Sequence, residues 1–179
     1  MTGTALGWRT HSGWAVVVAV SGTPSHPHVL ARERVQLVDE PLPRMAYHAI
    51  EAWDLSLKEG KALVAKVRRT ATTAATKAMK AAVQQHGADA IGVVGKVRNV
   101  PDDFGRILKA HSLLHAAEGA LYEEALLDAA ERAGIEAMFV EEQSIRIPNA
   151  LEAARKTLGS PWQKDHKLAA TAALVALGQ

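Results

Sequence analysis

Residues 5–20 read ALGWRTHSGWAVVVAV, and the fold turns on this stretch. From Gly13 to Val20 nearly every position is apolar, and four of the eight are valine. An apolar run of that length without alternation predicts a strand buried on both faces of a sheet. Residues 4–10, TALGWRT, either pair with it across a tight turn or form its first half. Downstream, residues 21–28 (SGTPSHPH) are dense in Gly, Pro and Ser and predict a hairpin loop. Residues 29–39 (VLARERVQLVD) alternate Val29, Ala31, Glu33, Val35, Leu37 against Leu30, Arg32, Arg34, Gln36, the pattern of a half-exposed strand. Pairing is the favoured arrangement, which gives a three-stranded antiparallel meander at the start of the chain.

Beyond the meander the period changes. MAYHAIEAWDLSL (45–57) has helical spacing at Met45, Ala49, Ala52 and Trp53, with Gly60 expected to interrupt it. Residues 61–87 predict a second helix closed by a Gly87 C-cap. ADAIGVVGKV (88–97) reads as a buried strand, RNVPDDFG (98–105) as a loop, and Arg106 to Ala133 as one long helix stopped by Gly134. IEAMFVEE (135–142) is the last strand, followed by helices over 148–159 and 163–177. The order is β-β-β-α-β-α-β-α. Strands first, then alternation, imply an α/β fold with a mixed five-stranded sheet and helices on both faces. Right-handed crossovers place the fourth strand beside the first.

Composition sets bounds. The chain has 179 residues, 48% of them hydrophobic, which suits one domain over 1–179 with a real core. Aromatics are only 4%, so Val, Leu, Ile and Ala must build that core. No cysteine is present, which excludes thiolate metal sites, disulfides and a Cys nucleophile. The N-terminus lacks the pattern of a signal peptide, and the longest apolar run is too short to cross a bilayer. The expectation is therefore a cytoplasmic protein with no membrane partner. A net charge of +2 permits an anionic partner without demanding one.

Three pieces, ALGWRTHSGWAVVV, RILKAHSLLHAAEGALYEEALLDAAERAGIEAMFVEE and KTLGSPWQKDHKLAATAALVAL, resemble the ribonuclease-H-like superfamily, and within it the Holliday-junction resolvase branch. The resemblance implies metal-assisted phosphodiester hydrolysis by two divalent cations (Mg or Mn) held between clustered carboxylates. Hard cations of this kind need oxygen ligands. Carried over position by position, the first-strand aspartate falls near Arg9 and the fourth-strand glutamate near Gly95 or Lys96. The paired aspartates of the last helix fall near Leu168 and Thr171. The resemblance thus implies a scaffold whose usual carboxylates are missing. Asp102, Asp103 and Asp165, at predicted strand and helix ends, are the candidates for a relocated catalytic set, since open α/β sheets bind ligands there.

Two further constellations stand out. His111, His115 and Glu118 lie at i, i+4 and i+7, on one stripe of a helix, and imidazoles at i and i+4 with a carboxylate can hold zinc. Ser112 stands where a metalloprotease helix has its general base. The second helix and the residues leading into it carry Lys58, Lys61, Lys66, Arg68, Arg69, Lys77 and Lys80 against Glu59 alone. A basic helix can track a phosphate backbone. Arg9, Arg68, Arg69, Lys96 and Arg98 are the expected phosphate contacts. Three functions are compatible with these residues: a catalytically degenerate nuclease relative that binds nucleic acid, a metal-dependent nuclease with a rearranged site, and a homodimeric interaction scaffold built on Ala-rich helices. Enzymatic activity is left open by the sequence.

Overall fold

The computed structural model describes residues 3–178. Its strands are β1 (Thr4–His11), β2 (Trp14–Thr23), β3 (His26–Gln36), β4 (Ala88–Gly95) and β5 (Ala137–Glu141). The helices are α1 (Ala46–Ala52), α2 (Leu57–His86), α3 (Phe104–Leu108), α4 (His111–Ala133), α5 (Ala154–Leu158) and α6 (Lys164–Leu177). One sheet runs in the order β3-β2-β1-β4-β5. β1 pairs antiparallel with β2, and β2 with β3, while β4 is parallel to both β1 and β5. The meander and the placement of the fourth strand beside the first are as the pattern predicted.

Alternation across the pleat sends side chains of β1 to two different cores. Leu6 and Trp8 join Val17, Ile91 and Val93 beneath α2 and α4, meeting Val67, Ala71, Ala75, Met79, Leu121 and Ala125. Ala5, Val16, Val18 and Val20 face the other way, against Ala169, Ala170 and Ala173 of α6, with Trp162 and Leu151 closing the edge. Each fully buried Val or Leu contributes about 1.5–3 kcal/mol, and alanine lets α6 lie close. That approach is extreme at two glycines. A Cβ on Gly7 would stand 1.7 Å from the Ala169 carbonyl oxygen, and one on Gly92 would stand 2.2 Å from that of Ala172. Backbone therefore meets backbone between sheet and helix.

Several boundaries differ from the predicted ones. The hairpin loop shrinks to Pro24–Ser25, because β2 and β3 continue through most of SGTPSHPH; Gly22 accommodates this with φ of 91°. Gly60 does not break a helix. It sits inside α2, buried against Ile50, and α2 begins at a capping box in which Ser56 and Glu59 bond reciprocally. The long helix is two, since Asp103 caps the short α3 and the chain bends at Lys109–Ala110. Residues 149–153 form a 3-10 turn ahead of α5. Among the described residues no helix is long and apolar enough to cross a membrane.

Candidate functional site

The parallel strands β1, β4 and β5 end together at His11, Gly95 and Glu141. The first turn of α6 lies over this edge, and α4 flanks it. Crevices at the carboxyl ends of such strands are where open α/β sheets bind ligands. Here the crevice is filled by paired charges. Arg9 donates from Nε to Asp165 Oδ1 at 2.7 Å and from its terminal nitrogen to Glu142 Oε1 at 3.4 Å. His11 Nε2 lies 2.8 Å from Asp165 Oδ2, so both carboxylate oxygens of Asp165 are engaged. Lys96 Nζ approaches Glu142 Oε2 at 3.8 Å. His11 stacks on Trp14 with ring centroids 4.2 Å apart, and the Arg34 guanidinium lies over the same indole, 4.0 Å from its centroid.

Burial raises the Asp165 pKa, but hydrogen bonds from His11 and Arg9 outweigh it and hold the carboxyl below its ordinary value. The helix residue opposite Arg9 is thus Asp165, one turn earlier than Leu168. Leu168 packs against Val94 and Val140, and Thr171 bonds its own helix through Lys167.

A second pair closes the α4 side. Arg98 donates to Glu123, and Glu123 also accepts from the Lys96 backbone at 3.4 Å. Gly119 makes room for this arginine, because a Cβ there would meet the guanidinium at 2.5 Å. Burial raises the pKa of Glu123, with Arg98 partly offsetting it. Between the two pairs lies a hollow of about 210 Å³ lined by Arg9, Lys96, Arg98, His115, Glu118 and Tyr122, among others.

Not all predicted site residues meet here. Asp103 is the cap of α3, accepting from Arg106 N at 3.1 Å, and Asp102 is exposed beside Arg68 in a separate hollow. Of the three relocated carboxylates only Asp165 is in the crevice. Of the five predicted phosphate contacts, Arg9 and Arg98 are paired in the crevice, and Arg68 pairs with Glu124 at 2.7 Å. Lys96 is half exposed, and Arg69 is exposed with no ion pair among the described residues. Glu123 was not anticipated; Glu142, at the end of the last predicted strand, and His11, beside the first turn, were visible in the sequence, but their pairing with Arg9 and Asp165 was not.

The histidine stripe takes a different form from the predicted one. His111 and His115 meet, Nε2 to Nε2, at 2.9 Å. The third imidazole is His48 of α1, whose ring centroid lies 4.6 Å from that of His115. Among the described residues, one group of three or more His, Asp or Glu brings its ligand atoms within 4.8 Å of one another, and it is His48, His111 and His115. Glu118 stands behind this group. It is buried, and Oε1 accepts from Tyr47 N at 2.6 Å and His48 N at 3.3 Å, with His48 Nδ1 at 3.4 Å. Burial raises its pKa, and those backbone bonds offset part of the rise.

No family model matches the sequence, and no curated protein does. The architecture has solved counterparts. Thermus thermophilus RuvC in complex with a Holliday junction substrate superposes with a TM-score of 0.54 at 15% identity, over 96% of this chain and 90% of that one. A second Thermus thermophilus RuvC structure gives 0.51 at 13% identity, over 96% and 91%. The fold is ribonuclease-H-like. At such identities the similarity fixes the ribonuclease-H-like frame alone, and the side chains in the crevice must supply the rest.

Proposed function

We propose that this chain is a nucleic-acid-binding protein on a ribonuclease-H-like frame in which the crevice used for metal-dependent cleavage has become an ion-pair network. The observation that carries this is the Arg9–Asp165 bond of 2.7 Å. A Mg or Mn ion at the end of β1 needs anionic oxygens around it. Arg9 puts a fixed positive charge there and takes up the two nearest carboxylates, Asp165 and Glu142. The residues present do not fit the divalent cations that the resemblance implies, so no hydrolytic step is assigned to them.

Binding rests on a different surface. Lys66, Arg69, Lys77 and Lys80 are all exposed on α2 and, at roughly 100° per residue, share one stripe with Thr73. From Lys66 to Lys80 the stripe spans about 21 Å, at roughly 1.5 Å per residue. No acidic residue lies between them in the sequence. Lys96, half exposed at the crevice mouth, adds a fifth cation. The Thermus RuvC neighbour holds a Holliday junction, which supports a DNA partner for a frame of this shape.

The test is gel retardation of branched, duplex and single-stranded DNA over a salt series, alongside incubation with Mg or Mn. Retardation that weakens with salt, with the DNA left intact, is the expected result. Absence of retardation at low salt refutes binding. Cleavage that Asp165→Asn abolishes would restore the metal-dependent nuclease instead.

A further inference from the structure

We propose that His48, His111 and His115 form a binding site for one transition-metal ion of the zinc class, with three imidazole nitrogens as ligands and a fourth position open. This goes beyond the nucleic-acid reading and does not depend on it.

The donor set is the first argument. Three neutral imidazoles with no thiolate suit zinc, cobalt, nickel or copper, and do not suit the hard cations that carboxylates hold. Zinc–nitrogen bonds of about 2.0–2.1 Å in a tetrahedron place ligand nitrogens about 3.3 Å apart. The 2.9 Å between His111 and His115, within a group that spans no more than 4.8 Å, brackets that spacing. Small side-chain rotations complete it. The two α4 histidines are exposed, and their ring nitrogens share a hydrogen bond that a bound ion would replace.

The surroundings are the second argument. Glu118 lies within hydrogen-bond reach of His48 Nδ1, which leaves Nε2 as the nitrogen free to bind an ion. That Nε2 is buried and has no hydrogen-bond partner. A carboxylate behind a ligating imidazole fixes its tautomer and orientation and raises its basicity. Glu118 has a need of its own: Oε2 is buried without a partner, and a buried carboxylate is costly unless its charge is compensated. A doubly charged ion one imidazole away supplies that compensation. His115 also lines the crevice hollow, so the ion stands at its rim, with the open position available to water or a phosphate oxygen.

The experiment uses tag-free full-length protein, stripped with chelator and titrated with Zn or Co ions in the absence of nucleic acid. The expected results are one ion per chain and, with Co, the visible absorption of a tetrahedral nitrogen site. His111→Ala, His115→Ala and His48→Gln each lower affinity at least tenfold. Glu118→Gln lowers it roughly 10- to 100-fold without changing the stoichiometry. His26→Ala, on the exposed hairpin, has no effect. The first two substitutions are at exposed positions, so circular dichroism should show an unchanged fold. Equal binding by wild type and the His111→Ala/His115→Ala double variant overturns the site. So does a stoichiometry far below one, or ready displacement of Zn by Mg, which would move the ion to carboxylates.

Discussion

Arg9 joins β1 to residues 133 and 156 positions away. Replacing it with alanine leaves Asp165 and Glu142 half-buried without their main donor. The expected cost is about 1–3 kcal/mol in urea denaturation. Arg9→Lys should recover only part of this, because an ammonium cannot present the guanidinium fork to two carboxylates. Asp165 gives the pH dependence. Its folded pKa lies below the ordinary 3.8, so the unfolded chain binds more protons in the interval between the two values. The stabilisation is therefore complete above about pH 4 and is lost as pH falls through the depressed value. The stability gap between wild type and Asp165→Asn should be widest near neutrality and should shrink in acid; a gap constant with pH would contradict the pairing. At this scale the sequence located Arg9 at the strand end, because strand periodicity is local. Its partners lie on β5's exit and α6, and no local pattern carries that distance. His48 was missed for the same reason: helical spacing relates His111 to His115 but says nothing of a third ring on α1.

Two elements show how tightly the layers are set. Gly7→Ala would drive a methyl into the Ala169 carbonyl, and Gly92→Ala would do the same at Ala172. With backbone as the obstacle, each should cost about 3 kcal/mol, the upper end for overpacking, read as a lowered urea midpoint. Gly60→Ala is the contrast, since its Cβ would meet only the Ile50 side chain at 2.9 Å. Ser56→Ala removes one half of the α2 capping box and should cost about 1 kcal/mol. These positions also explain which boundaries were legible. Gly60 looked like a break because glycine is a poor helix former, yet Ser56 and Glu59 had the spacing of a capping box four residues earlier. Arg106 to Ala133 read as one helix because the apolar period runs on through Lys109. The bend there depends on Asp103 capping a separate turn, which periodicity does not register.

For the molecule as a whole, the order of strands and helices was enough for the sheet, since few topologies satisfy three paired strands followed by right-handed crossovers. Charge was harder to place. Arg9, Arg68 and Arg98 looked available in the sequence and are each neutralised by a carboxylate from another element. The stripe that remains on α2 makes a quantitative prediction. Four phosphate contacts give a slope of about −3.6 in log affinity against log salt on duplex DNA, and Arg69→Gln with Lys77→Gln should reduce its magnitude by about 1.8. A slope unchanged by that pair would remove α2 from the interface. A complementary experiment reverses the crevice. Arg9→Asp gathers a new acid beside Asp165 and Glu142, and should create Mg or Mn affinity measurable by calorimetry where the wild type has none. The close seating of α6 bears on that outcome. With carbonyl groups resting directly on Gly7 and Gly92, the helix cannot come any nearer the sheet, so whatever side chain occupies position 9 is received by a frame whose spacing is set by backbone. A shorter residue leaves a space of set width that a solvated ion can fill, and the character of the crevice can be rewritten without redrawing the scaffold around it.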